Sequence, residues 1–113
     1  MIAGRRLAGA IVTLAIALPV VTAPTRAADA KAGARKAQAC VACHGADGVA
    51  TQPDAPHLAG QPAIYLAQQL RQFRSGKRAS EVMAVIAKPL SDADIDDLAA
   101  WYEAIRIEAR PPS

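Results

Sequence analysis

The chain has 113 residues, 13 of them basic and 10 acidic, for a formal charge of +3. That length suits one small domain. The excess charge sits in Arg5, Arg6 and Arg26; beyond them the two signs balance at ten each, so the high isoelectric point is no footprint of nucleic-acid binding.

Arg5 and Arg6 form a positive start, an apolar run follows from Leu7 to Val21, broken by Pro19, and small residues stand at Thr25, Ala27 and Ala28. This order predicts a cleaved secretory signal over residues 1–27, with cuts after Ala28 or Ala30 as neighbouring options. A retained anchor is the competing reading, since the uncharged stretch from Leu7 to Thr25 is 19 residues long. Two prolines and the small-residue exit favour removal. Residues 28–113 then form a single domain. It holds one Trp, two Tyr and one Phe, a poor supply of large side chains for a core.

Asp29 can cap a helix from Ala30 to Ala39, in which Gly33 needs a packing reason such as a second helix crossing close by. The helix leads into Cys40-Val41-Ala42-Cys43-His44. C-x-x-C-H is the attachment pattern of a c-type haem: each thiol can form a thioether to one porphyrin vinyl group, and the adjacent imidazole can sit under the iron. Cys40 and Cys43 are therefore the expected covalent anchors and His44 an axial iron ligand. A zinc site would need four ligands, and Cys43 and His44 are poorly placed to share one small ion with Cys40 and His57. A thioredoxin-type pair would need a βαβ setting, for which no strand pattern exists. A disulfide here would close too small a loop to restrict the unfolded chain much.

Gly45, Asp47 and Gly48 turn the chain, and residues 49–56 read as a loop with Pro53 and Pro56. Pro62 is suited to the first position of a helix running to about Ser75, with Leu66, Leu70 and Phe73 on one face, Tyr65, Gln69 and Gln72 off it, and Gly76 at its stop. Residues 79–87 form a short helix or helical loop ended by Pro89. Ser91 and Asp94 make a capping box for a last helix over about 92–108, with Ile95, Leu98, Tyr102 and Ile105 inward and Trp101 alongside. Asp92, Asp94, Asp96 and Asp97 crowd the positive end of that helix, which reads as a solvated, dipole-stabilised start rather than a metal site. With the signal removed, Met83 is the only methionine and His57 the only other histidine. For the second face of the iron, Met83 is the expected ligand, with His57 or an open position as alternatives.

These residues carry a family resemblance. Gly33 seven positions before Cys40, Cys40–Gly48, Pro56-His57-Leu58-Ala59-Gly60-Gln61, Tyr65-Leu66, Gln69-Leu70, Phe73–Arg78, Met83, Leu90–Ile95 and Ala99–Tyr102 together resemble a small class I cytochrome c. They are most similar to the bacterial branch of single-haem carriers and of tandem dihaem cytochromes built from two such halves. The resemblance implies an all-α fold of three to five helices around one covalently bound haem c. It implies that Pro56 offers its carbonyl to His44, that Leu58 and Leu70 line the haem pocket, that Met83 is the sixth ligand and that Arg78 reaches a propionate. It also implies that Gly33 marks the crossing of the first and last helices, beside Trp101 or Tyr102. His57 falls at a variable position and reads as a pocket or surface residue.

The implied function is a periplasmic electron carrier, not itself an enzyme, docking briefly to redox donor and acceptor proteins through small interfaces. The alternatives are the cytochrome subunit of a periplasmic dehydrogenase or oxidase complex, and a haem sensor with a vacant sixth site. No nucleic acid and no membrane insertion after signal removal are expected; the oligomeric state is left open. Because the porphyrin would be the centre of the core, the haem-free chain is expected to be largely unfolded. Circular dichroism and thermal melting of haem-free material check this, and a cooperative melt without haem would contradict it.

Overall fold

The computed structural model describes residues 25–113, together with the isolated positions 9, 17 and 19. The apolar run assigned to a signal therefore lies outside the described residues. Among the described residues the fold is helical and no strand forms: α1 spans Ala30–Lys36, α2 Val41–His44, α3 Ala63–Ser75, α4 Glu81–Ala87 and α5 Asp92–Ala104.

α1 starts where its cap requires, with the Asp29 carboxylate accepting the Lys31 and Ala32 amides. It is shorter than expected. After Lys36 the chain tightens into a 3-10 turn over Ala37–Ala39, which delivers Cys40 to the start of α2. Gly33 is where α1 crosses α5: a methyl there would land on the Asp97 carbonyl and 2.8 Å from the Trp101 Cβ. The glycine expected to mark a helix crossing does so, with Trp101 beside it.

The loop between α2 and α3 folds back on itself. The Gly48 carbonyl accepts both the Leu58 amide at 2.7 Å and the Ala59 amide at 3.1 Å. Gly48 has φ of 76°, and a side chain there would strike the Tyr102 ring at 2.9 Å. Only glycine meets both demands.

Pro62 stands one position earlier than expected, as the N-cap of α3 with non-helical ψ, and the first helical amide, at Ala63, is taken by the Glu103 carboxylate of α5 at 2.8 Å. Ser80 caps α4 by accepting the Met83 amide. The Ser91 and Asp94 capping box forms as the sequence predicts.

α5 ends at Ala104, not near 108. Ile105 turns extended, Tyr102 gives its carbonyl to the Gly60 amide at 2.8 Å, and Ile107 comes down over Gly60. Covering the loop with these isoleucines replaces another helical turn.

One apolar cluster joins Ala37, Leu66, Ala67, Ile95, Leu98, Ala99 and Tyr102, with Leu70, Trp101 and Ile105 packed at its margin. Each of the larger members contributes about 1.5–3 kcal/mol on burial. Among the described residues the largest fully buried side chains are Ile95 and Asp97.

Asp97 corrects the reading of the acidic run as solvated. Its carboxylate has no exposure and accepts Lys36 Nζ at 2.7 Å, the Asp29 amide at 2.8 Å and the Arg26 guanidinium at 2.9 and 3.1 Å. It ties the N-terminal end of α1 to the middle of α5. The remaining acids also have partners: Asp94 pairs with Lys36, Asp96 with Arg71 and Asp92 with Arg74. The Arg26 and Lys36 hydrogen bonds, with the Asp29 amide, hold the Asp97 carboxyl far below the usual carboxylate range. Lys36 and the Ser91 cap bring Asp94 down to about 2.

Both acids have folded pKa values depressed below the unfolded value, so the stability they confer is present above about pH 4 and is lost as pH falls toward 2. Unfolding titrations of the haem-bound protein are expected to be flat from neutrality to about pH 4 and to fall below it. Asp97→Asn is expected to cost about 2 kcal/mol at neutral pH and to flatten the acid limb.

Candidate functional site

The helices do not close over their own core. They leave a cavity of about 660 Å³, within the range of cofactor pockets. One wall is α2 with the turn before it, bearing Cys40, Cys43 and His44. The loop adds Pro56 and Leu58, α3 adds Leu66 and Leu70, α4 adds Met83 and Ile86, and α5 adds Leu98 and Tyr102. Residues far apart in sequence thus face one apolar space.

The imidazole is the best-defined element of the site. His44 is 7 % exposed, and its Nδ1 lies 2.8 Å from the Pro56 carbonyl. A carbonyl only accepts, so Nδ1 carries the proton and the neutral ring has a bare Nε2, the state a metal ligand needs. Orienting a ligand ring through its outer nitrogen also raises its basicity.

Cys40 is half-buried and Cys43 exposed, and both are free thiols. Burial pushes the Cys40 thiol up, opposed by a hydrogen bond from Tyr102. Burial likewise pushes the Tyr102 hydroxyl up, with the neighbouring Cys40 adding to it.

Every site residue expected from the sequence lines this cavity: Cys40, Cys43, His44, Pro56, Leu58, Leu70, Arg78 and Met83. Arg78 is at the rim, its Nη1 donating to Gln69 Oε1 at 2.6 Å and its guanidinium 4.6 Å from the centre of the Phe73 ring. His57 is elsewhere. It is exposed, its ring accepts the Ala50 amide, and it does not line the cavity that holds His44 and Met83.

Sequence reasoning missed Tyr65, Gln69 and Ile86, which also line the cavity. Tyr65 and Gln69 each precede a member of the Leu66 and Leu70 stripe, so a wider apolar arc on α3 could have included them. Tyr102 was placed in the core without its second role as cavity wall.

The walls fit a flat, apolar macrocycle holding a metal. Two thiols and an imidazole with a bare nitrogen share one wall, and a thioether side chain is at another. Too few large residues are present to fill the space between them.

The chain matches the family model for cytochrome c over residues 30–104. It is 44% identical over 81 residues to cytochrome c-554(548) of Halomonas halodenitrificans, covering 69% of this chain and 98% of that one. It is 44% identical over 77 residues to a thiosulfate dehydrogenase electron acceptor of Thiomonas intermedia, covering 67% and 36%. Its structure superposes on the crystal structure of cytochrome c4 from Pseudomonas stutzeri with a TM-score of 0.67 and 38% identity, over 71% of this chain and 47% of that one. The chain spans about half the length of the curated cytochrome c4 relatives it matches. The family-model match includes the cavity lining and all five helices, and the cytochrome c4 relatives are matched over one half of their length. The chain belongs to the cytochrome c family, in its class I branch, and its cofactor is covalently bound haem c.

Proposed function

We propose that this protein is an exported single-haem electron carrier, working in the periplasm between redox protein partners. The observation that carries the reading is the placement of His44 and Met83 in one apolar cavity, with the outer nitrogen of His44 already committed to Pro56.

Haem supplies an iron that holds or gives up one electron. Cys40 and Cys43 would anchor the group through thioethers, His44 through Nε2 and Met83 through its sulfur. The Pro56 carbonyl keeps the imidazole from rotating and favours its basic form. Leu58, Leu70 and the neighbouring apolar walls exclude water, which sets the local dielectric and hence the potential. Arg78 makes no ion pair among the described residues and is the cation available to a propionate.

A carrier needs the same ligands in both oxidation states. Met83→Ala is expected to abolish the near-infrared sulfur-to-iron band of the ferric protein and to lower its reduction potential. Survival of the band would overturn the assignment of Met83, and rapid carbon monoxide binding by the reduced wild type at neutral pH would favour a sensor instead.

The likeness to a thiosulfate dehydrogenase electron acceptor favours a second reading, in which the same chemistry serves a permanent enzyme partner. Purification from the native host separates the two, since a stable partner co-elutes and a free carrier elutes alone.

Export fits the placement of the N-terminal cap. Among the described residues no helix is long and apolar enough to cross a membrane. A cut after Ala27 preserves Asp29, the cap of α1, and leaves Asp97 with Lys36 and the Asp29 amide as partners after Arg26 departs. A cut after Ala30 would remove that cap and is disfavoured. N-terminal sequencing of the haem-bound protein from the periplasmic fraction is expected to begin at Ala28. Recovery of the intact chain in the membrane fraction would show a retained anchor.

A further inference from the structure

His57 is bound in a way that neither its exposure nor its place outside the cavity explains. Its ring Nδ1 accepts the Ala50 amide at 2.7 Å, and its carbonyl accepts the side-chain amide of Gln61 at 2.9 Å. An amide donor requires a bare nitrogen, so Nδ1 is unprotonated and the neutral ring carries its proton on Nε2. The residue is thereby fastened from the loop on one side and from the entry to α3 on the other.

The peptide that His57 shares with its neighbour is the one that matters. The carbon and oxygen of Pro56 lie in a plane with the nitrogen and Cα of His57. That oxygen is the acceptor 2.8 Å from His44 Nδ1. Holding the Cα of His57 fixes one end of that plane and so restrains how the Pro56 carbonyl can turn. Pro56 itself is exposed and has no amide hydrogen with which to anchor the plane from its own side.

We propose that His57 is a positioning residue: by gripping the Ala50 amide it fixes the Pro56–His57 peptide plane, and through the Pro56 carbonyl it sets the basicity of His44 and so the reduction potential of the bound iron. This rests on the reading of His44 as the axial ligand. A firm bond to Nδ1–H increases electron donation from Nε2 and stabilises the oxidised iron, so a loosened carbonyl raises the potential. The loop does not depend on His57 to close, because Gly48 still binds Leu58 and Ala59. The partly exposed Ala50 amide can turn to water when its acceptor is lost, so stability changes little.

The test uses the haem-bound protein with His57→Ala and His57→Asn; the Asn side-chain oxygen can stand where Nδ1 stood and accept the same amide. His57→Ala is expected to shift the potential upward and to speed solvent exchange of the His44 ring N–H about tenfold. His57→Asn is expected to stay near wild type in both. An unchanged potential and exchange rate in His57→Ala, or an Asn variant that shifts as far as Ala, overturns the proposal. If His57→Ala fails to accumulate, amide exchange in the wild type decides: protection of the Ala50 amide supports the ring bond, and exchange at the free-solvent rate overturns it. Hyperfine-shifted His44 ring resonances in the wild type test the underlying ligand reading separately, since their absence removes that reading whatever the variants do.

Discussion

A domain this small, with so few large side chains, is unable to fill its own interior, and the fold is arranged around that shortage. Four helices and a long loop face a space that the chain leaves open, and six of the ten apolar side chains it buries among the described residues are alanines. A group that binds the folded chain and not the unfolded one adds its binding free energy to folding. A covalently held porphyrin goes further, because it cannot diffuse away when the helices loosen. Stability and redox chemistry are therefore properties of the same apolar contacts.

Two polar fixtures keep that space in shape, and both act where elements of distant sequence meet. At the crossing of α1 and α5, Asp97 gathers a lysine, a backbone amide and an arginine around one buried carboxylate. Its burial is tolerated because several donors satisfy it together. At the loop, Pro56 holds His44 by a single hydrogen bond to the ring. The exposed pairs of Arg71 with Asp96 and Arg74 with Asp92 add little energy, but they register α3 against α5 on the far side of the cavity.

The electron-transfer role proposed for this chain asks for a centre whose geometry is the same before and after the electron arrives. Short helices with defined caps, and a loop closed on one glycine carbonyl, supply that rigidity without a large core. The half-length relation to the cytochrome c4 relatives fits the same economy: one unit of this kind is already a complete haem pocket, and the full-length match to the Halomonas halodenitrificans protein is of that size.

Much of the molecule was legible before any coordinates, because its signals are local. Helix caps at Asp29 and Ser91, the stop at Gly76 and the spacing of Cys40, Cys43 and His44 all act over a few residues, where backbone geometry leaves few choices. Met83 could be singled out by elimination, although its sharing a cavity wall with His44 depends on how α4 packs. What only the tertiary structure decided lies in pairings between distant segments. The open amide at the start of α3, on Ala63, is satisfied by Glu103 from forty residues away. α5 stopped at Ala104 because Ile105 and Ile107 are needed over the loop. Asp97, one of four similar acids at the start of α5, was buried while its neighbours stayed partly or fully exposed, and His57 took the Ala50 amide instead of facing the cavity. Such choices depend on which surfaces meet, and no short stretch of sequence contains both surfaces.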